Sequence, residues 1–375
     1  MSTTPSFGRQ GHPRKIQFSD FFLVSPMIDF ELSGLSMSAT MGDEYREVLA
    51  LFRDLGRRRP ISIKRAQAVL PGFLADTGFP WATEFERALG GEVTACSDFG
   101  HWQIYFYAQA YAKDGQWPPK LSVLGQHLIE LELALKAPTE AWAEGDVPRC
   151  VDLLEASPML KNYLWPALIA NLRRASTVGE VTTARGLVMC EIWLSLLACE
   201  DARIQGEGRA EASTFDDLFP NFAQEPVKSP NALFFEWLER YSNTQGNLAW
   251  KIPQLSKPAT SKDVDLASLS RQLRRWKSGD GFPSNDALDG LFRNLYGDKA
   301  DKPNHPGHEK WLLSQMKAAA TKRIAFLASI LVRLNRLNEP AAPFGYPSIQ
   351  DWRESRYRHW YRHWLPIQAE QFKVV

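Results

Sequence analysis

Catalytic signatures are what this sequence has least of. It contains no GxxxxGK[ST] phosphate loop, no HExxH, no GxSxG and no GxGxxG. Those absences remove the phosphate-cradling, zinc-peptidase, serine-hydrolase and dinucleotide folds that such motifs announce. Cysteine is scarce too: Cys96, Cys150, Cys190 and Cys199 form no CxxC pair, so they read as buried, reduced thiols in a cytoplasmic setting. Charge of one sign is missing, since 44 Lys and Arg face 43 Asp and Glu for a net charge of +1. No global field therefore gathers polyanions, and any nucleic-acid contact must come from a local basic face. No window is read as reaching the ~20 apolar residues of a membrane span, and MSTTPSFGRQGHPRKIQF lacks an apolar signal core. The expectation is a cytoplasmic protein without a membrane partner.

What the chain does have is core. Its 375 residues are 44% apolar, with 13 Trp, 10 Tyr and 21 Phe, which excludes disorder and supports two or three domains. The periodicity is helical almost throughout, so the fold class is all-α: a multi-helix body followed by a C-terminal helical domain. The expected divisions are a tail and extended segment over 1–40, an N-terminal helical domain over 41–213 and a C-terminal domain over 214–375. Polar, proline-bearing stretches at 205–213 and 223–230 set the boundary between the last two.

Tyr45, Val48, Leu49, Phe52 and Leu55 start the helical pattern, which Gly56 and Arg57-Arg58-Arg59 end as cations complementing a helix C-terminus. Helices are predicted at about 61–70, 80–89, 101–112 and 119–136. Ala141 to Leu154 reads as helix, tight Gly145-Asp146 turn and helix. Single helices are predicted over Met159–Arg174, Val181–Arg203 and Asn231–Tyr241. A long one over His308–Leu337 carries a stripe of Trp311, Met316, Ala320, Leu327, Leu331 and Leu334, and is long enough to pair two copies of the chain.

The stretch 265–297, DLASLSRQLRRWKSGDGFPSNDALDGLFRNLYG, has the clearest design. Leu266, Leu269, Leu273 and Trp276 fall on one helical face, while Ser268, Arg271, Gln272 and Arg275 form a polar, basic one. Gly279 and Gly281 stop that helix. Pro283-Ser284 opens a second, with Leu288, Leu291, Phe292 and Leu295 inward and Gly297 at its end. An amphipathic helical hairpin inside a helical domain is one reading of this pattern.

The other is a resemblance. Arg274-Arg275-Trp276-Lys277-Ser278-Gly279, then Phe282-Pro283-Ser284 and an apolar helix, resemble the lambda-repressor/Cro class of helix-turn-helix. That class reads DNA with a recognition helix in the major groove. The resemblance covers roughly thirty residues. It implies a DNA-binding set of Ser268, Arg271, Gln272, Arg274, Arg275 and Lys277, with Arg matched to guanine and Gln to adenine. Upstream the pattern departs: Pro253 and Pro258 leave room only for a short or displaced supporting helix.

The tail WRESRYRHWYRHW, Trp352 to Trp364, interleaves cations with aromatics. It reads first as a helix docking its Trp face on the body, second as a surface for bases and phosphates. His359 and His363 have zinc-chelating spacing but no carboxylate between them, so no metal, cofactor or catalytic residue is assigned. Asp216-Asp217 read as acids at a helix N-terminus, and His305 with His308 as a solvent-exposed loop pair. The functional expectation is a regulatory protein, or part of a DNA-associated complex of bacterial type, that contacts double-stranded DNA and a protein partner. A helical scaffold and an enzyme with a site invisible in sequence are the alternatives.

Overall fold

A computed structural model describes residues 123–143, 145–253, 266–337 and 351–373. The expectations for 1–122, including the arginine triplet, and for 254–265 and 338–350 lie outside the described residues. Among the described residues there are nine α-helices and no strand, so the fold is all-α. The helices are α1 Val123–Ala143, α2 Val147–Ala156, α3 Pro166–Arg174, α4 Val178–Gly206, α5 Pro230–Tyr241, α6 Leu266–Ser278, α7 Asn285–Tyr296, α8 His308–Leu337 and α9 Arg358–Lys373. Short 3₁₀ turns lie at Leu160–Asn162, Asp216–Leu218 and Leu248–Lys251, and a π-turn at Arg353–Tyr357 leads into α9.

The chain forms two compact units, Met1–Ile192 and Trp193–Val375. The division falls within α4, upstream of the polar stretches where the sequence places a boundary. The reason is side-chain chemistry. Ser195, Cys199, Glu200, Asp201 and Gln205, all on the second half of α4, bond to groups between Ser213 and Gln368.

In the first unit α1 packs on α2 and α2 on α3. Gly145, at φ +80°, makes the turn between α1 and α2, and Asp146 caps α2 by accepting from the Arg149 amide at 3.0 Å. Leu131, Leu135, Val151, Leu154, Leu168 and Leu172 are buried. The single helix expected over Met159–Arg174 is broken. Trp165 is extended because Pro166 follows it, and Pro166 starts α3, where its missing N–H is harmless. The Arg185 guanidinium lies 4.9 Å from the Trp142 ring.

By length and apolar content Gly179–Gly206, which holds an 18-residue window of mean hydropathy 1.4, is sufficient to cross a membrane, which corrects the expectation that no window reaches that standard. In the protein 89% of its apolar window is buried, as in a core helix. Arg185, Glu191, Glu200 and Asp201 are buried along it.

In the second unit α8 packs on α5 and α7, and α6 lies against α5 and the 248–251 turn. Met316, Ala320, Leu327 and Leu331 of α8 are buried within this unit. On α5, Phe234, Phe235 and Leu238 are buried, and Leu233 and Trp237 are half-buried. Phe235 stacks on Trp276 of α6 with ring centroids 5.8 Å apart and planes 11° from parallel. Gly290 on α7 lets Pro253 approach so closely that a Cβ there would stand 2.8 Å from the proline ring.

Candidate functional site

Helix α6 has 13 residues and divides as its spacing requires. Leu269, Leu273 and Trp276 are buried, while Ser268, Arg271, Arg274 and Arg275 are exposed and Gln272 is half-buried. Among the described residues no carboxylate pairs with Arg274 or Arg275. The Arg274 side chain makes only a long contact, 3.4 Å, to the Ser270 carbonyl. Gly279, at φ +88°, ends the helix, and Ser284 caps α7 by accepting from the Ala287 amide at 3.2 Å.

Lys277 behaves differently from its neighbours. Its ammonium donates to both oxygens of Glu239 on α5, each at 3.0 Å, and the two side chains are 29% and 17% exposed. Its backbone is held separately. The Ser229 hydroxyl donates to the Lys277 carbonyl at 3.0 Å, and the Asn231 amide donates to the Gly281 carbonyl at 3.2 Å. Thus α5 fastens the C-terminal end of α6 and the turn after it. Upstream, the support allowed by Pro253 is the 3₁₀ turn Leu248–Lys251, where Leu248 is buried and Trp250 is 55% exposed.

A second polar centre, which sequence reasoning missed, lies around α4 and the tail. Buried Asp201 accepts from the Ser213 hydroxyl at 2.5 Å, the Thr214 amide at 2.6 Å, the Phe215 amide at 3.3 Å and the Tyr357 hydroxyl at 2.5 Å. Burial pushes its carboxyl up to about 6 against the pull of those four donors. Asp216 takes two N–H groups from each of Arg353 and Arg358, at 3.0 Å, 2.9 Å and 2.8 Å with one shorter contact to Arg353. Burial would raise that carboxyl too, but the donors from Arg358 and Arg353 outweigh it and hold it at about 2. Asp217 pairs with buried Lys317 at 2.7 Å, whose ammonium also lies 4.3 Å from the Trp237 ring. Both acids lie in the first turn of the 3₁₀ helix Asp216–Leu218, as expected, and each has a second role. Both are ion-pair partners of chain far downstream.

These contacts dock the tail. Trp352, Tyr357, Trp360 and Trp364 are all buried, and Trp364 donates its indole N–H to Ser195 at 2.9 Å. Docking, the first reading of WRESRYRHWYRHW, is therefore what the aromatic side of that segment does. His363 lies between the Trp360 and Trp364 rings, at 5.5 and 5.4 Å, and burial lowers its pKa. Among the described residues no group of three His, Cys, Asp or Glu side chains comes together to hold a metal ion. His305 and His308 are not free in a loop: His305 accepts from the Gly307 amide at 3.0 Å, and His308 lies 3.0 Å from the Ala300 carbonyl. Burial pushes the Cys150 thiol up to about 12 and raises that of Cys190, so neither is poised as a nucleophile.

The class that fold and site define is an all-α protein in which, among the described residues, the amphipathic helix α6 displays an exposed cationic side. No family model, characterised protein or solved structure matches the chain.

Proposed function

We propose that this protein contacts double-stranded DNA through α6, as a regulatory or DNA-associated component. The observation that carries the reading is the side of α6 on which Arg271, Arg274 and Arg275 are exposed while Leu269, Leu273 and Trp276 anchor it from behind. A helix of 13 residues is about 20 Å long, enough to lie along a major groove about 12 Å wide. Ser268 and Gln272 supply hydrogen-bonding groups among the cations, so the side offers both phosphate and base-edge partners.

The test is an electrophoretic mobility shift with Arg271→Ala and Arg275→Ala in the full chain. Each substitution should weaken binding by about 1–3 kcal/mol if the arginine meets a base, and wild-type affinity should fall steeply with salt. Equal shifts for wild type and both variants, or no shift for any, would remove the reading. An interaction subunit would then take its place, and Trp250, 55% exposed on the turn against α6, is the observation in favour of that role.

A further inference from the structure

We infer that Glu239 limits the grip of α6 on DNA by holding Lys277 away from phosphate; this rests on the reading just given. Lys277 lies three residues beyond Arg274, so the two are neighbours on the helix surface. An ammonium released there would stand beside the exposed guanidinium. Instead it is committed to both Glu239 oxygens at 3.0 Å, in a half-buried pair. Breaking the pair need not move the helix. The Ser229 and Asn231 hydrogen bonds and the Phe235–Trp276 stack hold the same end of α6 without using the lysine side chain. Glu239 is thus a positioning residue, and the ion pair stores one cationic contact that α6 does not deploy.

Nearby Glu236 provides the control. It sits on the same helix and binds an exposed lysine, Lys228, through both oxygens at 2.9 Å, but Lys228 precedes α5 and is not part of α6. The same change of one charge can therefore be made twice, once releasing Lys277 and once not.

The experiment measures binding of a short mixed-sequence DNA duplex to full-length protein by fluorescence anisotropy across a salt series. Glu239→Gln should add about one phosphate contact and steepen log affinity against log salt by about 0.9. Its advantage over wild type should be about 3.5-fold larger at about 50 mM than at about 200 mM salt. Glu236→Gln should leave the slope unchanged, and the double variant Glu239→Gln with Lys277→Gln should lose the added steepness. Glu239→Asp, one methylene shorter and unable to keep both contacts, gives a milder release should the first variant unfold. A wild-type slope in Glu239→Gln and Glu239→Asp, or equal steepening by Glu236→Gln, overturns the inference while leaving DNA contact by α6 intact. Failure of every form, wild type included, to bind the duplex overturns both.

Discussion

Replacing Asp216 by Asn keeps the side chain's shape and removes its charge, and the cost should depend on pH in a defined way. In the folded chain the Asp216 carboxyl is held at about 2 against an ordinary value of 3.8. Folding therefore favours its ionised form by nearly two pH units, an order-of-magnitude contribution of about 2 kcal/mol. Arg353 and Arg358 are 30% and 33% exposed, so solvent screening lowers the expectation to about 1–2 kcal/mol. The sign follows from the depressed value. The contribution is fully present above the unfolded pKa and is lost as pH falls through the folded one. Denaturant unfolding followed by tryptophan fluorescence suits the measurement, because Trp352, Trp360 and Trp364 are buried on the segment that Asp216 anchors. Asp216→Asn should be less stable than wild type by about 1–2 kcal/mol at neutral pH, and the two should converge between about pH 4 and pH 2. A gap that persists at low pH, or no gap at neutral pH, would refute the assignment of this carboxylate as the tail's charged anchor.

Asp201 predicts the opposite trend. Burial lifts it from 3.8 to about 6, so wild type should lose about 3 kcal/mol relative to a non-titrating Asp201→Asn as pH rises from about 3 to 7, read from the same unfolding curves at the two ends. Glu200 and Arg323 form a buried pair, with side chains 3% and 8% exposed. Glu200→Ala should cost about 3–5 kcal/mol by leaving the guanidinium without its carboxylate, whereas Glu200→Met with Arg323→Leu should restore much of that in equilibrium denaturation.

Local pattern was legible and distant pairing was not. The long helix over His308–Leu337 and the hairpin of α6 and α7 follow from periodicity, Gly279, Ser284 and Gly297, all of which act within a few residues. The exposure of Ser268, Arg271 and Arg275 was legible for the same reason: once Leu269, Leu273 and Trp276 face inward, helix geometry sends those three outward, while Gln272, expected with them, is half-buried. Lys277 escaped because its partner is 38 residues upstream and no local rule pairs them. Asp216 escaped more completely, since its arginines follow it by 137 and 142 residues. Pro166 is a local signal for the break before α3, set within apolar residues that continue on both sides of it. The tail's arginines were visible as a group, and their carboxylates could be found only once the chain had folded.

The span between Asp201 and Tyr357 sets an order on assembly during synthesis. The carboxylate is translated 156 residues before the hydroxyl that reaches it, an interval of about 8–30 s at typical elongation rates. From its own synthesis until the tail arrives, the Phe219 ring, which meets Trp352 and Tyr357 at 5.4 and 4.2 Å in the finished protein, has no cover from those rings. A nascent chain halted before the tail holds the Asp201 carboxylate without the Tyr357 hydroxyl and the Phe219 ring without its two aromatic neighbours.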